Sequence, residues 1–154
     1  MNSKAVISDT SSLIALESIM ELELLQKMFR EIYITDEIQK EFGSKLPSWI
    51  KVKKLHDRTM LQVITLELDL GEASGIALAL EMPDSLLIID EKKGRNYANR
   101  LGINMIGILG VLIRAKEKGI IETLKPILNK LNDCDFRMSE KLVTDILKRV
   151  GELK

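Results

Sequence analysis

The chain has few of the residues that form covalent cross-links or carry nucleophilic catalysis. It contains one cysteine, Cys134, and one histidine, His56, among 154 residues. A single cysteine excludes an internal disulfide and is typical of a protein from a reducing compartment. His56 has no partner at ligand spacing and is interpreted as a surface residue. A zinc site and a Ser-His-Asp triad are therefore disfavoured.

The chain also lacks a net charge and a long apolar run. Its 23 lysines and arginines balance 23 acidic residues, so no global basic field attracts a polyanion. No run approaches the roughly 20 apolar residues of a membrane span, and no signal-peptide core precedes the first predicted strand. We expect a cytoplasmic protein without membrane contact. Nucleic-acid binding would depend on a local patch or on metal ions.

Short apolar runs alternate with segments of helical periodicity, which predicts a parallel sheet with right-handed crossovers. We predict one domain over 1–154, a length that buries roughly 68–70% of the unfolded surface. The predicted fold is an α/β class, three-layer α/β/α sandwich with a central parallel sheet of four to five strands. The predicted strands are an apolar run ending at Ser8, then 31–34, 50–55, 85–89 and 103–106, and a helix is predicted over 57–70.

Asp9 stands between the first strand and the helix that follows it. Ligands of open parallel sheets bind beyond the carboxyl ends of the strands, which is the predicted position of Asp9. A purely structural interpretation is that Asp9 or Ser11 caps the helix. The helix itself is predicted from the spacing of Leu13, Leu16 and Met20, which would lie on one inward face.

Three further acids occupy comparable positions. Asp90 follows the apolar run 85–89, Glu72 opens the clearest helix, and Glu41 lies near the end of a short helix after the second strand. If the first and fourth strands are neighbours, Asp9 and Asp90 lie within a few ångströms of each other. Two carboxylates about 5 Å apart repel by roughly 3 kcal/mol at an effective dielectric of 20. No base is placed to neutralise all four acids, so a shared proton or a divalent cation is required.

The ligand chemistry favours Mg²⁺ or Mn²⁺, because the donors are carboxylates with no histidine or cysteine nearby. Such an ion orients water for in-line attack on a phosphodiester. The chain has no P-loop, no Gly-x-Gly-x-x-Gly motif and no Asp-x-Asp nucleophile directly after a predicted strand, which argues against the common phosphatases. The residues thus predict metal-dependent phosphodiester hydrolysis.

Four segments, taken in order, resemble the PIN-domain nucleases. Gly-Glu-Ala at the third acid and Asp-(Asp/Glu)-x-x-x-Arg after the fourth strand are similar to the prokaryotic, VapC-like toxin branch. The resemblance implies a Mg²⁺- or Mn²⁺-dependent endoribonuclease with RNA as substrate. It also implies a homodimer and, for a toxin, an antitoxin protein as partner. The segments are Val6–Ile14, Glu41, Gly71–Ala79 and Leu87–Arg95.

The resemblance also implies roles for individual residues. Thr10 or Ser11 would supply a hydroxyl that supports the first acid. The family has a threonine two residues before its last acid, whereas this chain has Ile88 before Asp90, so that hydroxyl is missing. The implied catalytic and metal-binding acids are Asp9, Glu41, Glu72 and Asp90, with Glu91 as a further metal ligand.

Three questions stay open at this point. The missing hydroxyl and the zero net charge motivate an alternative function, a catalytically silent PIN-like RNA- or protein-binding module. Arg95 and Lys92 are candidate ligands of a substrate phosphate, because they follow Asp90 closely. The alternative for both is a solvated helix face. Trp49 is interpreted either as a core anchor or as a stacking platform for a base.

Overall fold

The computed structural model describes residues 4–154, which contain five strands and nine helices. The strands are β1 (Val6–Ser8), β2 (Ile32–Thr35), β3 (Ile50–Lys53), β4 (Leu86–Ile88) and β5 (Met105–Ile106). The helices are α1 (Thr10–Ser18), α2 (Glu23–Phe29), α3 (Asp36–Phe42), α4 (Arg58–Ile64), α5 (Leu70–Glu81), α6 (Lys92–Arg100), α7 (Ile108–Glu117), α8 (Lys125–Asp133) and α9 (Glu140–Arg149). None of the helices within residues 4–154 has both the length and the apolar character needed to cross a membrane.

The strands form one parallel sheet in the order β3-β2-β1-β4-β5. Successive strand residues point to opposite faces, so Val6 and Ile88 join one hydrophobic cluster while Ile7 and Leu87 join another. The first cluster includes residues of α1, α2, α7, α8 and α9, and the second includes residues of α4, α5 and α6. Helices therefore cover both faces of the sheet. The predicted three-layer α/β/α sandwich is confirmed.

The pairing of β1 with β4 determines where the acids emerge. Ser8 is in register with Ile88, and the Asp9 amide donates to the Ile88 carbonyl at 3.0 Å. Asp9 and Asp90 consequently leave the sheet at the same edge. On the other side of β4, Ile88 is in register with Ile106, which brings the first turn of α7 to that edge.

Two local predictions were wrong. The helix predicted over 57–70 is interrupted, because α4 ends at Ile64 and Asp69 caps a new helix by accepting from the Glu72 amide at 2.9 Å. Met20 was predicted to face inward but is 92% exposed. The reason is that α1 ends at Ser18 and Met20 has a positive φ of 61°, so Ile19 enters the core instead.

Candidate metal centre

Asp9 caps α1 and also lies at the carboxyl end of β1, so the two interpretations of this residue are compatible. Its Oδ1 accepts from the Ser12 amide at 2.9 Å, and its Oδ2 accepts from the Ser11 hydroxyl at 3.3 Å. The residue is 1% exposed. Burial raises the pKa of Asp9 to about 6, against the lowering effect of the Ser12 and Ser11 hydrogen bonds and with a further rise from the charge of Asp90.

Asp90 lies beside Asp9 and is held by donors from α1 and α7. The Ser12 hydroxyl donates to Asp90 Oδ2 at 3.1 Å, and the Ile108 amide donates to both carboxylate oxygens at 3.1 and 3.2 Å. A Cβ atom on Gly107 would lie 2.7 Å from Asp90 Oδ1, so the carboxylate packs against backbone. Burial raises the pKa of Asp90 despite these hydrogen bonds and the nearby positive charge of Arg95.

Three carboxylates converge at the start of α5. One oxygen each from Asp69, Glu72 and Glu91 lies within 4.8 Å of the other two. Glu72 is 7% exposed, and burial, followed by the charges of Asp69, Glu91 and Asp9, raises its pKa to about 8. Its Oε2 is buried and finds no hydrogen-bond partner in the part of the chain that the structure describes. A buried acceptor in this state carries a desolvation cost that a bound cation would relieve.

Glu41 approaches this cluster from α3. The Thr10 hydroxyl donates to Glu41 Oε1 at 2.6 Å. A Cβ atom on Gly71 would lie only 2.0 Å from the same oxygen, so the carboxylate rests directly on the first turn of α5. Residue 71 must be glycine for this close approach. The contact joins α1, α3 and α5 at the site.

Four of the acids, Glu41, Asp69, Glu72 and Glu91, line a cavity of about 360 Å³. Within residues 4–154, no site acid forms an ion pair at 4.0 Å or less; the ion pairs there involve Glu37, Glu67, Glu117 and Glu152. Carboxylate and hydroxyl oxygens are the donors that Mg²⁺ and Mn²⁺ prefer. The donor set and the unpartnered Glu72 oxygen therefore fit a divalent cation. The residues that line the cavity are Thr10, Ser11, Ile14, Glu41, Asp69, Glu72 and Glu91.

The structure brings the sequence-predicted acids together but separates them into two groups. Glu41, Glu72 and Glu91 line the cavity, while Asp9 and Asp90 lie next to it at the edge of the sheet. Sequence reasoning missed Asp69, although an Asp three residues before Glu72 is a typical N-cap signal. The metal-binding role of these acids stays a prediction.

The two basic candidates differ in their surroundings. Arg95 is partly buried, and its Nη1 donates to the Ile89 carbonyl at 2.7 Å, so this nitrogen already has a partner in the protein. Lys92 is exposed at the first residue of α6 and does not line the cavity. Their contact with a substrate phosphate stays a prediction. Trp49 is 8% exposed and belongs to the hydrophobic core, which favours the packing interpretation.

The protein is of the α/β class: a parallel α/β/α sandwich with acids gathered at the carboxyl ends of β1 and β4. A family model described as PIN domain matches residues 5–152, and the chain belongs to the PIN-domain family. Within that family the matching model is DUF3368. Comparison with curated proteins and with solved structures gives no match. PIN domains are generally nucleases, hydrolases that typically use a divalent metal ion.

Proposed function

We propose that this protein is a Mg²⁺- or Mn²⁺-dependent endoribonuclease that hydrolyses RNA phosphodiester bonds. The observation that carries the proposal is the buried, unpartnered Oε2 of Glu72 beside Asp69 and Glu91. Glu72 is buried, whereas Asp69 and Glu91 are exposed. A buried carboxylate beside two other acids, with no ion pair among the described residues, is costly unless a proton or a cation compensates its charge. Family membership adds support, since PIN domains are generally nucleases.

The proposal assigns separate roles to the groups of side chains. Asp69, Glu72 and Glu91 would hold the cation together with Asp9, Glu41 and Asp90. A bound divalent ion supplies activation of water and stabilisation of the charge that develops on the phosphodiester. The remaining groups orient these ligands: the Thr10 hydroxyl holds Glu41, the Ser11 hydroxyl holds Asp9, and the Ser12 hydroxyl with the Ile108 amide holds Asp90.

Asp9→Asn provides the test, because asparagine retains the helix cap and removes the charge. We expect the parent to cleave single-stranded RNA in Mn²⁺ or Mg²⁺ and to be inactive in EDTA. The cleavage rate of the Asp9→Asn variant should be at least about 100-fold lower than that of the parent. Asp57→Asn is the matched control, since Asp57 caps α4 by accepting from the Met60 amide at 3.0 Å outside the site. Cleavage by Asp9→Asn at the parental rate would contradict the proposal.

The same experiment separates the catalytically silent RNA- or protein-binding module. That alternative predicts no metal-dependent cleavage and no Mn²⁺ site that depends on the carboxylates. One argument for this alternative is that β4 has Ile88 where the family has a hydroxyl-bearing threonine. In the structure, the Ser12 hydroxyl of α1 donates a hydrogen bond to Asp90. A hydroxyl donor therefore reaches the last acid from another element.

We further propose that the protein acts in the cytoplasm as the toxin of a toxin–antitoxin pair and forms a homodimer. The support for this is the resemblance of its motifs to the VapC-like branch. Expression in a bacterial host should arrest growth for the parent and not for Asp9→Asn, and light scattering should give twice the chain mass. Growth at an equal rate for both proteins would contradict the toxin role, and a monomer mass would contradict the homodimer.

A further inference from the structure

A second cavity adjoins the acidic one. It has a volume of about 310 Å³ and shares two lining residues, Ser11 and Glu91, with the acidic cavity. The other four lining residues are Asp90 and three residues of the loop between α8 and α9. They are Asp90, Asp135, Phe136 and Arg137. The second cavity therefore extends the candidate metal centre toward the C-terminal helices.

The loop that carries Phe136 and Arg137 is held in place by hydrogen bonds to α8. The Phe136 amide donates to the Leu131 carbonyl at 3.0 Å, and the Met138 amide donates to Asn132 Oδ1 at 3.2 Å. The Phe136 ring is partly buried against the hydrophobic core while it also lines the second cavity. This arrangement presents an aromatic ring and a guanidinium side by side at the candidate metal centre.

Of the described residues that line the two cavities, Arg137 is the only base. Its side chain is exposed, and within residues 4–154 it forms no ion pair at 4.0 Å or less, although three acids line the same cavity. Arg95, in contrast, donates to the Ile89 carbonyl. Among the described residues, Arg137 is therefore a positive charge without an ion pair, in a cavity that three acids also line.

We propose that the second cavity binds the phosphate and base of the nucleotide adjacent to the scissile bond in single-stranded RNA. Arg137 is the phosphate ligand, because a guanidinium forms paired hydrogen bonds with phosphate oxygens. Phe136 is the stacking surface, because bases stack on aromatic side chains without a strong sequence preference. This inference rests on the proposed ribonuclease function and adds the site that would hold the strand against the acidic centre.

The test compares two substrates of different length. A dinucleotide has only the scissile phosphate, whereas a hexanucleotide also offers the adjacent one. In the parent, the kcat/KM for the hexanucleotide should exceed that for the dinucleotide. In Arg137→Ala this advantage should shrink about tenfold, mainly through KM, as expected for loss of a charged hydrogen bond. The hexanucleotide advantage of Arg137→Lys should lie between those of the parent and Arg137→Ala, because an ammonium group supplies the charge without the paired hydrogen bonds.

Four further measurements separate substrate recognition from an effect on the structure. Mn²⁺ affinity and the thermal midpoint should match the parent in Arg137→Ala, since neither depends on a phosphate ligand. Phe136→Leu retains an apolar side chain in the core and should raise KM for the hexanucleotide. Arg149→Ala is the matched control: Arg149 lines neither cavity and should leave the substrate preference unchanged.

Each outcome either supports or overturns the inference. If the parent cleaves RNA and Arg137→Ala retains the full hexanucleotide advantage, the second cavity is not a subsite, while the nuclease function stands. If the parent cleaves no RNA, the proposed function fails, and fluorescence anisotropy with the labelled hexanucleotide decides the inference separately. A Kd that rises in Arg137→Ala then supports the site, and an unchanged Kd or absent binding overturns it.

Discussion

Ser12 links the first and the last acid of the site: its hydroxyl donates to Asp90 Oδ2 at 3.1 Å, and its amide donates to Asp9 Oδ1 at 2.9 Å. The hydroxyl and Asp90 are 78 residues apart in the chain. Both bonds lower the pKa of the carboxylate that receives them. Ser12 therefore orients two acids that burial would otherwise drive toward the protonated form.

Ser12→Ala should lower Mn²⁺ affinity and the cleavage rate by about 10- to 100-fold, the usual cost of losing a group that orients metal ligands. The Ser12 hydroxyl lowers the pKa of Asp90 in the parent. Its loss should raise that pKa, so the pH–rate profile of the variant should shift to higher pH. Ser18→Ala is the control, since the Ser18 hydroxyl donates to the Ile14 carbonyl on the same helix, outside the site. Equal Mn²⁺ affinity in the parent and Ser12→Ala would contradict this role.

Gly71→Ala should disrupt the site without unfolding the protein. The added Cβ would lie 2.0 Å from Glu41 Oε1, so the Glu41 side chain must move away from α5. Gly75→Ala on the same helix is the matched control, because its Cβ would make ordinary contacts at 3.6 and 3.7 Å. We expect weaker Mn²⁺ binding for Gly71→Ala alone, measured by calorimetry. If both variants bind Mn²⁺ like the parent, Glu41 does not contribute to the site.

The metal-free protein should lose stability as the pH rises. The pKa of Glu72 is raised from 4.5 to about 8, so between these values the folded state holds a proton that the unfolded state has released. The free energy of unfolding must then fall as the pH rises from about 4.5 through 8. One pKa unit corresponds to about 1.4 kcal/mol, so the loss reaches a few kcal/mol.

Urea unfolding in EDTA at pH 6 and pH 9 measures this loss, and Glu72→Gln should reduce it because glutamine does not ionise. Added Mn²⁺ should restore the stability of the parent at pH 9 and leave Glu72→Gln largely unaffected. A parent whose free energy of unfolding is the same at both pH values would show that Glu72 is not perturbed.

Glu152 should stabilise the C-terminal helices. Its carboxylate accepts from the Leu124 and Lys125 amides at 2.6 and 3.1 Å, and it pairs with Lys116 at 3.1 Å. Burial raises the pKa of Glu152, but these hydrogen bonds outweigh that effect and the net shift is downward. Its contribution is therefore present above the usual carboxyl pKa and is lost as the pH falls through the lowered value.

Glu152→Ala should reduce the free energy of unfolding at pH 7 by about 1–3 kcal/mol, since charged hydrogen bonds to helix N-terminal amides are lost. Glu117→Ala, which removes an exposed pair with Arg149 at 3.9 Å, should cost less than about 1 kcal/mol. Chemical denaturation of both variants gives the comparison. A larger loss for Glu117→Ala would contradict the anchoring role of Glu152.

The sequence was sufficient to predict the parallel sheet, and it predicted the proximity of Asp9 and Asp90 on the condition that the first and fourth strands are neighbours, which the structure meets. Each acid follows a short apolar run, and parallel strands that are neighbours bring their carboxyl ends to one edge. The bounds of β4 and β5 came out shorter than predicted, because apolar residues such as Ile89 and Ile103 continue beyond the paired segments. Apolar character marks the buried run and does not specify which residues pair.

Asp69 and Ser12 could not be assigned in the same way. Asp69 lies inside the helix predicted over 57–70, and this prediction hid its N-cap spacing to Glu72; the hydrogen bond to the Glu72 amide shows the cap. The direction of the Ser12 hydroxyl depends on how α1 is rotated against β4, which a pattern of apolar spacing does not determine. The approach of Glu41 to Gly71 likewise arises from the packing of α3 on α5.

The central claim is that these converging carboxylates form one divalent-cation site. Calorimetric titration of Mn²⁺ at pH 7.5 in two buffers of different ionisation enthalpy tests it most directly. We predict saturable binding with proton release, because Glu72, whose pKa is about 8, must give up its proton, and we predict loss of that binding in Asp9→Asn and Glu72→Gln. Absence of saturable binding, or binding of equal strength in the parent and both variants, would contradict the claim.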